Sequence, residues 1–267
     1  MKTTIIGFGW LGLPLAAALD KEGHDVAGST TTLEKKEFLE TKGIETFQYD
    51  FEGKSKVPAT VAKSTEVLII TVPPIRKKEP DFYGNALKEL IAQFSNTKHV
   101  LFTSSIGIYP QQSTVFYENF EFLEMEKNTS LYKAEETLSS VVKNKLTILR
   151  LGGLFGNGRH PVNSLQGKDD VENPFGLINL VHLTDVIRCI LRCIESEDSG
   201  GVFNVVFPEH PVRKEYYTKL FRQHDLEAIN FTITPTIERR IDTTKVRQEL
   251  DFSFRHSIYD LSDCLID

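Results

Sequence analysis

A chain of 267 residues, 40% hydrophobic and 25% charged, can bury a sizeable core, and these values exclude a disordered, collagen-like or fibrous polymer. The net charge of −6 arises without a run of like charges, so neither nucleic acid nor an anionic membrane surface is an expected partner, and a small molecule is. The apolar stretch after Met1 is interrupted by Gly7, Gly9 and Gly12 and ends at Asp20. It is too short for a membrane span and lacks the basic start and cleavage site of a signal peptide, which predicts a cytoplasmic protein.

In chain order, β-rich or apolar runs predict strands at 3–7, 26–30, 45–49, 67–72, 99–103, 146–151 and 202–207. Helical patterns fall between them at 13–19, 33–41, 84–94, 130–142 and 185–194. Continuous apolar strands spaced by amphipathic helices indicate a parallel sheet covered on both faces, because each crossover lays a helix on the sheet. The expected architecture is an α/β, Rossmann-type doubly wound parallel sheet with a small C-terminal substrate lobe. The Gly-, Asn- and Pro-rich stretch 152–181 and the segment 208–267 break the alternation and are assigned to that lobe, leaving 1–151 and 182–207 as the Rossmann domain.

Gly7-Phe8-Gly9-Trp10-Leu11-Gly12 fits G-x-G-x-x-G at the end of a predicted strand and the start of a predicted helix. In that context Gly7 permits a tight turn, Gly9 lets backbone approach a pyrophosphate, and Gly12 allows close helix–strand packing, with the helix N-terminus supplying positive potential. A dinucleotide cofactor is therefore expected along Gly7, Gly9, Trp10, Leu11 and Gly12. An NAD site usually ends its second strand on an acidic residue, whereas here the chain reads Gly28-Ser29-Thr30-Thr31-Thr32, followed by Lys35 and Lys36. Ser29, Thr30 and Thr31 do not repel a 2′-phosphate, so NADP is expected over NAD; the same threonines also suit a helix cap. Asp50 and Phe51, after the third strand, are placed to contact an adenine, and Thr71 and Pro73 close the fourth strand beside the same site.

Three cysteines, with Cys189 and Cys193 four apart in a helical pattern, read as small buried hydrophobes, and with no zinc-type or Walker-type motif no metal is expected. In the loop after 151, Arg159 and His160 are candidates to face a bound anion or carbonyl, or to stand in a solvated loop. His182, between apolar Val181 and Leu183, reads as a structural histidine.

The segments Gly7–Gly12, Phe102-Thr-Ser-Ser-Ile-Gly-Ile-Tyr109, Lys133-Ala-Glu-Glu136, Arg150-Leu-Gly-Gly-Leu-Phe-Gly156 and Val181-His-Leu-Thr-Asp185 span most of the chain. In this order they resemble the extended short-chain dehydrogenase/reductase superfamily, the sugar-nucleotide epimerases and dehydratases. The resemblance implies that Ser105 is the catalytic serine and that Lys133 is the lysine of a Tyr-x-x-x-Lys pair, holding the nicotinamide ribose. Four residues before Lys133 stands Thr129, not tyrosine, and Tyr132 is only its neighbour, pointing about 100° away around a helix. The family asparagine falls on Gly153, and Thr-Val-Pro-Pro at 71–74 replaces an Asn-x-x-Gly strand end. These departures resemble an atypical subgroup in which the cofactor fold persists while the catalytic set is incomplete. The implied function is an NAD(P)-dependent oxidoreductase or epimerase/dehydratase-like protein acting on a small polar or sugar-linked substrate. Ser105 would polarise the substrate oxygen, and proton transfer would fall to Tyr132, Tyr109, His160 or water. The alternative is a non-catalytic NADP-binding sensor.

Overall fold

A computed structural model describes residues 1–53, 55–75, 77–196 and 199–265. The first half alternates as β1 (Lys2–Ile6), α1 (Gly12–Lys21), β2 (Asp25–Thr30), α2 (Leu33–Thr41), β3 (Glu45–Gln48), α3 (Ala59–Ser64), β4 (Val67–Ile70), α4 (Pro80–Ile91) and β5 (His99–Ser105). There follow β6 (Thr114–Phe116), α5 (Ser130–Val141), β7 (Lys145–Leu151), β8 (Gly153–Phe155), α6 (Pro161–Leu165), β9 (Leu180–His182) and α7 (Leu183–Glu195). The chain closes with β10 (Gly201–Val205), α8 (Arg213–Gln223), β11 (Arg239–Ile241) and α9 (Thr244–Glu249).

Seven strands form the parallel central sheet in the order β3-β2-β1-β4-β5-β7-β10. β1 lies between β2 and β4, with Ile5 opposite both Gly28 and Ile69. The strand order reverses at the β1/β4 pair, and in open α/β sheets ligands bind in the crevice beyond the carboxyl ends of the strands at such a switch point. This is the doubly wound α/β fold that the alternation of apolar runs predicts. The predicted helix at 84–94 begins earlier, at Pro80, because proline's fixed φ suits the first helical position.

The chain divides into two compact units, Met1–Ile108 with Glu121–Arg150 and Cys189–Val202, and Tyr109–Phe120 with Leu151–Arg188 and Phe203–Asp267. This differs from the sequence division in giving 109–120, Leu151, 182–188 and 203–207 to the second unit. The first unit is built on a core of Ile6, Phe47, Leu68, Ile70, Tyr83, Leu87, Phe102, Ala134 and Leu138, all buried. Each such large side chain contributes roughly 1.5–3 kcal/mol on burial. In the second unit Phe155, Val162, Tyr216, Leu220, Phe221, Ile258, Leu261 and Cys264 form a separate core. Two small parallel ladders, β11-β6 and β8-β9, also belong there. Among the described residues no helix is long and apolar enough to cross a membrane.

Candidate functional site

Between β1 and α1 the chain turns at Gly7, whose φ of 109° lies where L side chains are strained, and a Cβ there would stand 2.6 Å from Val72 Cγ2. A Cβ on Gly12 would fall 2.1 Å from the Gly7 carbonyl oxygen, so α1 can start this close to β1 only on glycine. Nothing lies within 4 Å of the position a Cβ would take on Gly9, which leaves its backbone open to approach. The turn is held from both sides: Ser29 Oγ accepts the Gly7 N–H at 3.0 Å, and Thr71 Oγ1 donates to the Gly7 carbonyl at 2.8 Å. Leu11 is buried immediately before α1, no side chain caps that helix, and its first turn carries no acid. An uncapped N-terminus presents backbone donors and partial positive charge, a setting that favours an anion.

A groove of about 760 Å³ opens over these strand ends, lined by Gly7, Phe8, Gly9, Ser29, Thr30, Thr31, Lys35, Gln48, Asp50, Phe51, Thr71 and Pro73 among others. The sequence candidates Trp10, Leu11, Gly12 and Lys133 are not part of that lining, whereas Phe8, Gln48, Val72 and Ile75 are. Sequence reasoning missed the last four because only their places at the carboxyl ends of β1, β3 and β4 mark them. Lys35 Nζ reaches into the groove and donates to the Phe8 carbonyl at 2.6 Å, while Lys36 pairs with Glu40 at 2.8 Å on α2. Thr32 is the N-cap of α2, its hydroxyl accepting from Lys35 N–H, so one threonine of the run is a cap and the others border the groove. The Asp50 carboxylate accepts the Glu52 N–H at 2.8 Å and the Ser55 hydroxyl at 3.4 Å, a local turn that fixes the far wall. Beside it Phe51 packs edge-on against Tyr49 and Tyr83, and burial pushes the Tyr49 phenol up to about 12, so it stays neutral.

At the end of β5 the two serines have different tasks. Ser104 donates to Glu135 at 2.6 Å, and Glu135 is clamped by Arg150 through Nε and Nη2 at 3.1 and 2.7 Å, a nearly dry ion pair between α5 and β7. Ser105 Oγ, half-buried, accepts the Gly107 N–H at 3.0 Å. A Cβ on Gly107 would stand 3.3 Å from Ser105 Oγ and 3.6 Å from Leu131 Cδ1, so Leu131 of α5 packs beside Gly107, two residues after Ser105. It continues the stripe of Ala134, Glu135 and Leu138 that α5 buries. Lys133 leaves the helix on another face, its Nζ 3.9 Å from Asp81 and 3.7 Å from Glu136. Thr129 is not helical: with φ −123° and ψ 149° it is the N-cap, its hydroxyl accepting the Tyr132 N–H at 3.2 Å. The i,i+4 argument for 129 and 133 therefore does not apply to this backbone. The Tyr132 ring packs edge-on against Phe122 at 5.2 Å.

Tyr109 and His160, named as possible proton carriers, are both buried in the second unit. Tyr109 donates to Asn204 Oδ1 at 2.7 Å within an aromatic cluster with Phe116 and Phe120. His160 bonds Tyr216 through Nε2 at 3.0 Å and accepts the Val162 N–H on Nδ1, and burial pulls its pKa down to about 4. Arg159 and His160 both line a separate cavity of about 500 Å³ with Asn163 and Ser164. His182 accepts the Thr184 N–H at 3.1 Å, the local bond that starts α7.

Protein YeeZ of Escherichia coli K12 is 32% identical to this chain over 264 residues, covering 96% of each. The chain belongs to the YeeZ family. No protein-family model matches it. Among solved structures it is similar to UDP-glucuronic acid 4-epimerase from Bacillus cereus in complex with NAD, at a TM-score of 0.78 and 14% identity over 99% of this chain and 97% of that one. It is likewise similar to a short-chain dehydrogenase/reductase superfamily protein from Agrobacterium tumefaciens with bound NAD, at a TM-score of 0.78 and 13% identity over 96% and 93%. The fold is that of the extended short-chain dehydrogenase/reductases.

Proposed function

We propose that the chain binds a nicotinamide dinucleotide, NADP in preference to NAD, and acts as an oxidoreductase or epimerase/dehydratase-like protein on a small polar or sugar-linked substrate. One observation carries the reading: the groove at the β1/β4 switch point places an open glycine backbone and an uncapped helix N-terminus beside Lys35, with no carboxylate at the end of β2. The open approach at Gly9 suits a pyrophosphate, Lys35 suits a 2′-phosphate, and Asp50 and Phe51 border the adenosine end. When bound, the dinucleotide supplies hydride transfer. Of the similar solved structures that carry NAD, one is a UDP-glucuronic acid 4-epimerase and another, MoeE5, holds UDP-glucose, which supports the same class of substrate here. Ser105 offers a hydroxyl that donates to a substrate oxygen while its own lone pair keeps the Gly107 N–H.

A second reading, a cofactor-binding protein without turnover, is favoured by Leu131. Its side chain packs beside Gly107, whose N–H Ser105 accepts, and the position four residues before Lys133 is Thr129, not tyrosine. Fluorescence titration of the wild type and Gly9→Asp with NADPH and NADH tests the common core of both readings. The wild type is expected to bind NADPH more tightly than NADH. Gly9→Asp should bind either about tenfold more weakly or worse, because its carboxylate enters the pyrophosphate's approach. Equal affinity in the two proteins would contradict the proposal. NADPH oxidation against a panel of UDP-sugars and small carbonyls then separates enzyme from sensor.

A further inference from the structure

The fold brings His182 to Asp263, 81 positions later, and to its neighbour Cys264, a separation far outside any spacing motif. His182 Nε2 stands 3.2 Å from Asp263 Oδ2, Cys264 Sγ stands 3.1 Å from Asp263 Oδ1, and the three ligand atoms all lie within 4.8 Å of one another. Tetrahedral ligands at ordinary zinc bond lengths stand roughly 3.3–3.8 Å apart, so two sides of such a site are already near that spacing and the third closes with a movement of at most about 1 Å. We propose that His182, Asp263 and Cys264 bind a zinc-class divalent ion. The donor set is one soft thiolate, one carboxylate and one imidazole, whose two negative charges cancel the ion's. His182 and Cys264 are buried, while Asp263 is 48% exposed, which leaves one open side for entry and for a water as fourth ligand.

The surroundings orient the ligands. The Asn157 N–H donates to Asp263 Oδ2 at 2.9 Å, and His256 stacks on His182 at 4.4 Å with 13° between the rings. One bond opposes the ion. His182 Nδ1 accepts the Thr184 N–H at 3.1 Å, which puts the ring proton on Nε2, pointing at Asp263. Binding therefore moves that proton from Nε2 to Nδ1, breaks the cap bond, and releases the Cys264 thiol proton to solvent, leaving the imidazole neutral. A helix cap is worth about fivefold in an equilibrium constant. Zinc held by cysteine and histidine in folded sites is worth on the order of 10⁷-fold or more, so the cap bond yields. The ion would fasten the segment carrying buried Leu261 and Cys264 to the start of α7 and to the 156–158 turn, where Gly158 N–H already donates to the Asp263 carbonyl at 2.6 Å.

The test uses the full chain, stripped of metal and titrated with Zn²⁺ and, separately, with Co²⁺. One equivalent of zinc should bind and raise the melting midpoint. Cobalt should give a near-ultraviolet thiolate charge-transfer band together with the visible bands of a tetrahedral site. Cys264→Ser and Asp263→Asn should each weaken zinc about tenfold or more. Because Cys264 is part of the second unit's core, Asp263→Asn at the half-exposed position and the cobalt spectrum of the wild type stand on their own. Failure of the wild type to retain zinc, a cobalt spectrum without the thiolate band, or wild-type zinc affinity in Asp263→Asn would each overturn the proposal.

Discussion

Lys35→Met isolates the cation assigned to the 2′-phosphate. Lys35 Nζ sits 2.6 Å from the Phe8 carbonyl, so removing it also deletes one hydrogen bond of the glycine turn, a loss that NADH and NADPH feel equally. The ratio of the two dissociation constants cancels that shared loss and leaves the phosphate contact. A unit charge pair at about 4 Å is worth roughly 1 kcal/mol in water and about 4 kcal/mol at the effective dielectric of a protein surface. Lys35 is half-buried at the mouth of an open groove, which puts the contact near 1–2 kcal/mol, a factor of about 5–30. Isothermal titration of wild type and Lys35→Met with both cofactors at fixed ionic strength should therefore show the NADPH preference falling by that factor, with Lys35→Arg retaining most of it. An unchanged ratio would refute the argument, because it would mean that the ammonium stays on Phe8 and does not read the cofactor.

Lys133→Met should leave NADPH affinity within about twofold of the wild type, because its partners on α4 and α5 are partly exposed ion pairs of little energy; a larger loss would return Lys133 to the cofactor. Thr129→Tyr should cost about 1 kcal/mol in urea unfolding through the lost cap and confer no carbonyl-reductase activity, and a gain of activity would contradict the backbone placement described here. Glu135→Gln leaves Arg150 buried opposite a neutral partner and should destabilise the protein by about 3–5 kcal/mol, whereas a change below about 1 kcal/mol would show that water reaches the pair. Burial pulls the His99 imidazole down to about 3 and that of His160 to about 4, both below the 6.5 of an unfolded chain, so the fold holds them neutral. Stability is then fully present above pH 6.5 and falls as pH drops towards the folded values. The two histidines together account for a loss of about 4 kcal/mol by pH 5, and His99→Asn should roughly halve that acid slope.

The sheet was legible because its strands are continuous apolar runs: Val67-Leu-Ile-Ile70 is buried along its whole length and cannot be mistaken for a surface segment. The glycine turn was legible because close approach leaves only glycine at positions 7 and 12. The α5 register was not legible, since counting four back from Lys133 assumes a continuous helix, and the chain caps at Thr129 and turns Leu131 inward instead. The short strands β6 and β11 carry three residues each and pair only with one another, too little periodicity to read locally. The His182, Asp263 and Cys264 cluster depends wholly on tertiary contact, as does the burial of His160, which its loop composition left open between facing a ligand and standing in solvent.

A crystal structure with NADP bound tests the central claim most directly. The account predicts the pyrophosphate over Gly9 at the start of α1, the 2′-phosphate within about 3 Å of Lys35 Nζ, and Leu131, not Lys133, beside Ser105. A dinucleotide seated elsewhere, or a 2′-phosphate turned to solvent with Lys35 still on the Phe8 carbonyl, would contradict it.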